Sequence, residues 1–276
     1  MKARLHSDTD RQFTALRGIV RLFAILLAIG LTNASAQGTF GHLAYGAGWQ
    51  TTFLVVNQDQ TTEASVSLSF YSDIGTALSP PVNGGAATSV YSFSVPPNGS
   101  ASIVLPDVGG PTSTEGWASL NVNNNPAVSG QAIFRQNAGG SRPVLEAAVP
   151  FTSGAPLCLV PFGNVAPMHS ILVPFDNTTG VHVTALAFAN TTSAAMSVPI
   201  EFDDPTGAAI VTGTLNLGAL NHSSFVSTAK YPATSGKSGV LRITLPSGAN
   251  VGDLSVLALL ADAASGTLTT LIPIMQ

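Results

Sequence analysis

The chain has 276 residues, 45% of them hydrophobic and only 9% charged, with 27 Gly, 18 Pro and a formal net charge of −4. So large an apolar fraction excludes a disordered chain, and a charged share well under the roughly 25% of ordinary soluble domains leaves the surface to be wetted by hydroxyls and amides. The acidic balance excludes a basic footprint for nucleic acid or anionic lipid.

Residues 1–36 read as a secretory signal peptide. Lys2, Arg4, Arg11, Arg17 and Arg21 form a basic stretch, "LFAILLAIGL" is an apolar run of ten, and "NASA" sets small residues before a cut at Gln37. Ten apolar residues fall short of the about 20 that a membrane span needs. The length of the leader, with Asp8 and Asp10 inside it, keeps an uncleaved anchor as the alternative. Cleavage would leave five Lys and Arg against twelve Asp and Glu, a net charge of −7. No stable membrane span is expected after it, and the location is periplasm, cell surface or medium.

The segments that follow predict strands. "TTFLVVN", "ASVSLSF", "SASIVL", "WASLNV" and "SGQAIF" are β-rich runs bounded by Gly, Pro, Asn and Asp. Alternation over each run implies one face toward a core and one toward solvent, and two sheets packed face to face satisfy it. Turn signals about every ten residues suit an all-β sandwich or barrel.

The pattern occurs twice. Residues 49–75 can be laid on 181–207 without a gap, matching Thr52, Leu54, Val66, Phe70 and Gly75 with Thr184, Leu186, Val198, Phe202 and Gly207. Further on, "GWASLNV" resembles "GVLRITL", "VSGQAIF" resembles "LSVLALL" and "LEAAVPF" resembles "LTTLIPI". The expectation is an internal duplication. The first copy would span residues 37–153, with an inserted loop at 80–89. A Pro- and Gly-rich linker at 154–167 would follow, then a second copy at 168–276.

The stretches "HLAYGAGWQTTFLVVNQ", "FYSDIG", "GWASLNV", "VSGQAIFRQ" and "EAAVPF" together resemble an uncharacterised tandem immunoglobulin-like β-sandwich repeat of secreted proteins from soil bacteria. The resemblance covers nearly all of the chain after the leader and implies an immunoglobulin-like fold in each copy, but no activity. The Cys…Trp…Cys signature of true immunoglobulin domains is absent.

Candidate sites are few. Cys158, the one cysteine, sits in apolar "APLCLVPF" and reads as a buried, inert thiol. Asp73–Gly75 and Asp204–Gly207 share a repeat position and read as hairpin turns, with Asp capping its own backbone. Glu201, Asp203 and Asp204 could supply hard oxygen ligands to calcium. The first copy has Ser69, Tyr71 and Ser72 there, so a turn explains both copies, and no metal or cofactor is expected. His169, Asp176 and His182 approach one another along the chain, but at spacings that match no compact metal motif. His42 and His222 stand alone and read as solvent-facing polar positions. Trp49 and Trp117 meet Val181 and Val240 in the repeat comparison, which makes them core residues.

Tyr45 and Tyr91, the latter beside the inserted loop, are the candidate ligand-binding aromatics. The functional expectation is a non-enzymatic exported structural or interaction protein whose partner is an extracellular protein or glycan. A carbohydrate-binding module using Tyr45 and Tyr91 is the alternative, and a hydrolase with a site between the domains the third reading.

Overall fold

Period-two alternation becomes antiparallel strand along most of the computed structural model, which describes residues 37–124, 127–137, 144–153, 170–262 and 264–276. The expected leader, the linker, Cys158 and His169 lie outside the described residues. The first half holds β1 (Gln37–Tyr45), β2 (Trp49–Asn57), β3 (Ala64–Ser72), β4 (Val90–Val95), β5 (Ser100–Leu105), β6 (Thr114–Val122), β7 (Val128–Gln136) and β8 (Leu145–Ser153). The second half holds β9 (Ser170–Asp176), β10 (His182–Asn190), β11 (Met196–Asp203), β12 (Ala209–Leu217) and β13 (His222–Val226). A single turn of helix, α1 (Ser227–Lys230), precedes β14 (Ser238–Thr244), β15 (Leu254–Asp262), β16 (Thr267–Leu271) and β17 (Ile274–Met275).

In the first half the order β4-β3-β6-β1 runs on through β8-β7-β2-β5, one sheet folded over where β1 meets β8. In the second, β12-β11-β14-β9-β17 forms one sheet and β13-β10-β15-β16 the other. Counted from its own first strand, each half has the same strand order. The architecture is the all-β sandwich expected from the sequence. The partition departs from the constant-type immunoglobulin one of ABED over CFG. With β2, β3, β5 and β6 laid on B, C, E and F, β1 and β4 join the C–F sheet and β7 the B–E sheet.

Proline marks the corner of each sandwich. β8 pairs with β7 as far as Pro150, after which Phe151–Ser153 pair with β1 in the other sheet. β16 pairs with β15 as far as Leu271, and beyond Pro273 residues Ile274 and Met275 pair with β9. A residue that cannot donate to a ladder is tolerated where a strand leaves one sheet for the next.

The inward side chains correct the gap-free repeat alignment. Thr51, Phe53, Val55 and Asn57 point inward on β2, and Thr184, Leu186, Phe188 and Asn190 on β10. Thr51 therefore corresponds to Thr184, one residue away from the sequence match, while Val66 with Val198 and Phe70 with Phe202 hold on β3 and β11. The loop after β2 is one residue longer than that after β10 and absorbs the slip. On a two-residue period that slip exchanges inner and outer faces. The same device recurs in both halves: Thr51 Oγ1 donates to Ala44 O at 2.8 Å, and Thr184 Oγ1 to Asp176 O at 3.0 Å.

Phe40, Phe53, Phe70, Leu68 and Leu120 fill the first core, and Phe188, Phe202, Ile200, Leu241 and Ile243 the second. Residues 80–89 fold back on the first sandwich, with Val82 buried and Asn83 N–H bonded to Val104 O on β5 at 2.8 Å.

Candidate functional site

The second sandwich presses the outer face of its β10–β15 sheet against β1 and β8 of the first. Ala185, Ala187, Leu257 and Leu259 point away from their own core, pair across β10 and β15, and join the hydrophobic cluster of the first sandwich. Small residues allow the close approach. A Cβ on Gly41 would stand 2.5 Å from Ser255 Oγ, and Ser255 Oγ lies 3.1 Å from Thr152 Oγ1. Thr270 Oγ1 donates to Ala148 O at 2.6 Å.

Three titratable side chains meet on this interface. β1 breaks register between Phe40 and Leu43, and this bulge carries His42, which contacts the second half. His42 Nδ1 lies 3.1 Å from Nε2 of His222 on β13, whose Nδ1 lies 2.7 Å from Asp73 Oδ1. The carboxylate accepts from Nδ1–H, which leaves Nε2 of His222 to accept from His42. The bond to His222 is the main cause holding the Asp73 carboxyl below the usual carboxylate range. Burial, aided by repulsion from His222, pushes His42 down from 6.5 to about 3, so it stays neutral. Both histidines are buried, which corrects the solvent-facing expectation. They are 180 residues apart in the chain, and only the docking of the halves brings them together.

Asp–His pairing orients an imidazole in the way a general base requires. Here the Nε2 to which a nucleophile would bond is occupied by His42, and the His222 side chain has no exposed surface. The arrangement joins the two sandwiches through a chain of hydrogen bonds. Beside it Trp117, stacked on Tyr71 with centroids 4.4 Å apart, donates from Nε1 to Leu220 O at 2.7 Å. A cleft of about 200 Å³ between the sandwiches is lined by Thr39, Trp117, Ser119, Thr191, Asn250 and Asp253. It is smaller than the roughly 300–1,000 Å³ of small-molecule sites. Asp253 Oδ2 is bonded to Asn250 N at 2.7 Å and Thr191 Oγ1 to Gly252 O at 2.8 Å, while Thr39 Oγ1 is buried there without a partner.

The other candidates fall as follows. Tyr45 is buried in the first core, where burial pushes its phenol up. Tyr91 stands opposite Leu68, partly buried against the same core, and its hydroxyl accepts from Asn83 Nδ2 at 3.2 Å. Asp204 caps its own turn through Thr206 N and Ala208 N, at 2.8 and 3.0 Å. Asp203 is buried and takes Arg242 Nη2 at 3.2 Å on Oδ2, while Oδ1 has no partner. Glu201 lies between Thr212 and Arg242 on neighbouring strands. His182 does meet Asp176, at 2.7 Å, and also Asp262, at 3.7 Å, a residue that spacing alone did not suggest. Among the described residues no group of three or more His, Cys, Asp or Glu could hold a metal ion, and no helix is long and apolar enough to cross a membrane.

Compared with known proteins, the chain matches no family and no curated sequence.

Proposed function

We propose that this protein is a non-enzymatic, exported structural or interaction module, a block of two sandwiches held in one orientation. The observation that carries the reading is the docking interface. Apolar side chains on the outer face of one sheet are covered by the other sandwich, and polar contacts cross the seam at His222–His42, Trp117–Leu220 and Thr152–Ser255, with Thr39 Oγ1 left buried without a partner. The polar residues that sequence reading could assign to catalysis are spent on structure: Asp73 on His222, Asp203 on Arg242, Asp204 on its own turn. Tyr45 and Tyr91 are likewise engaged in packing, which favours this reading over a sugar platform. The leader and the sparse charge fit a protein that works outside the cytoplasmic membrane.

The test begins with expression from the full gene, leader included. The protein should leave the cytoplasm with Gln37 as its first residue, and the purified product should turn over no ester, peptide or glycoside in a broad panel. Cytoplasmic retention overturns the location. Turnover that survives repurification and disappears in His222→Ala overturns the non-enzymatic assignment.

A further inference from the structure

The docking inside one chain has a counterpart between chains. The surface of the first sandwich that receives the second is the β1–β8 corner, where Thr39 pairs with Thr152 beside the Gly41–His42 bulge. The corresponding corner of the second sandwich is β9–β17, where Leu172 pairs with Ile274 and Pro174 follows two residues along β9. Directly paired residues face the same side of a sheet. Leu172 and Ile274 therefore stand together on the outer face, in the places of Thr39 and Thr152. This corner is open, with two exposed isoleucines beside the Arg242 on β14 that pairs with Leu172: Ile274 is 57% exposed and neighbouring Ile272 is 76% exposed.

The docking face also has an uncovered equivalent. Ala187 with Leu257, Ala185 with Leu259 and Ala189 with Ser255 on β10–β15 correspond to Leu54 with Gln131, Thr52 with Ile133 and Val56 with Ser129 on β2–β7. Leu54 and Ile133 are half-buried and Val56 is 43% exposed. One chain thus offers a donor face at its first sandwich and an acceptor corner at its second. The geometry that joins them internally does not use up either.

We infer that the occupant of the β9–β17 corner is a second copy of this chain, which docks the β2–β7 face of its first sandwich there, head to tail. Such a heterologous contact leaves a free donor face at one end of the pair and a free corner at the other, so it propagates into open chains. The inference rests on the reading of the protein as an interaction module and supplies its partner. Its failure is distinct, because export and turnover are measured on separate samples.

The test uses the purified protein and two single variants, Ile274→Asp at the corner and Val56→Asp on the face. The weight-average mass of the wild type in sedimentation should rise with concentration beyond two chains. Each variant alone should stay at one chain, with a thermal midpoint like that of the wild type. Mixed in equal amounts they should give a twofold mass and stop there, since the intact face of one meets the intact corner of the other. A wild type that stays at one chain at all concentrations overturns the inference. So does a variant that still self-associates, or a mixture that remains single chains. If Ile274→Asp does not fold, Leu172→Lys at the same corner takes its place with the same outcomes.

Discussion

At His222 one side chain bonds to two others that lie 149 and 180 residues away along the chain. Spacing rules find histidines that cooperate within one turn, one strand or one loop, so this cluster left no local mark in the sequence. Its pH behaviour follows from the geometry. His42 in the folded protein has its pKa pushed down to about 3 from 6.5, so between those values the unfolded chain binds a proton that the folded chain does not. Stability is then full above about pH 6.5 and falls as the pH drops toward 3. Asp73, whose folded pKa is also depressed, acts with the same sign: its contribution is present above its unfolded pKa and is lost as pH falls through the lowered folded value. The expected loss between pH 7 and pH 4 is on the order of a few kcal/mol, at about 1.4 kcal/mol per unit of pKa difference. Denaturant unfolding at the two pH values measures it. His42→Leu should be less stable at pH 7 yet flatter across the range, whereas an equal slope in the variant would place the pH dependence elsewhere.

Among the elements, the strands were readable from their alternation, and the turns at Gly75 and Gly207 from Asp-x-Gly and Asp-Pro-Thr-Gly, both with positive φ as expected. β1 was not singled out, because "TFGHLAY" breaks its own period at the Gly41–His42 bulge. The repeat register of β2 was displaced by one residue because apolar side chains lie on both faces of "TALAFAN", so either phase gives a plausible match. The residue that settles the phase is the asparagine closing each strand. Asn190 Nδ2 donates to Ala194 O and Gly218 O, both at 2.7 Å, and its Oδ1 accepts from Thr192 N at 3.0 Å. Asn57 does the same work, donating to Thr62 O at 2.8 Å and Val95 O at 3.1 Å and accepting from Asp59 N. Each asparagine ties the end of its strand to two loops. Because both are buried, Asn190→Ala or Asn57→Ala should cost about 3 kcal/mol by stranding several polar groups. Asn216→Ala, whose partner Ser197 is exposed, should stay within about 0.5 kcal/mol. Equal costs at the three sites in chemical denaturation would refute the strand-closing role.

For the whole molecule, the difference between the halves says more than their likeness. "VSGQAIFR" on β7 alternates as a half-exposed strand must, while its partner "LSVLALLA" on β15 is apolar almost throughout. Strands covered on both faces read as continuous apolar runs. The docking face was therefore visible in the sequence as an asymmetry, although nothing there showed what would cover it. The corner that receives it involves Gly41, Thr39 and Thr152, residues too ordinary to attract notice. Leu257→Gln, which introduces the residue found at the matching position of the first half, should cost about 3 kcal/mol despite its place on the outer face of its sheet. The reciprocal Gln131→Leu should change stability by no more than about 0.5 kcal/mol. Because Leu257 and Leu259 belong to the cluster of the other sandwich, calorimetry should record one cooperative unfolding transition. Two resolved transitions would show that the halves melt independently.

The central position of β1 bears on how the chain is made. Its residues precede every other described strand in the chain, yet their ladder partners lie on β6 and β8, and Ser255 on β15 presses against Gly41. An amino-terminal strand of this kind has no ladder partner until β6 and β8 follow it, and its packing against β15 waits for almost the entire polypeptide. Contacts between such distant segments predict slow maturation of the fold.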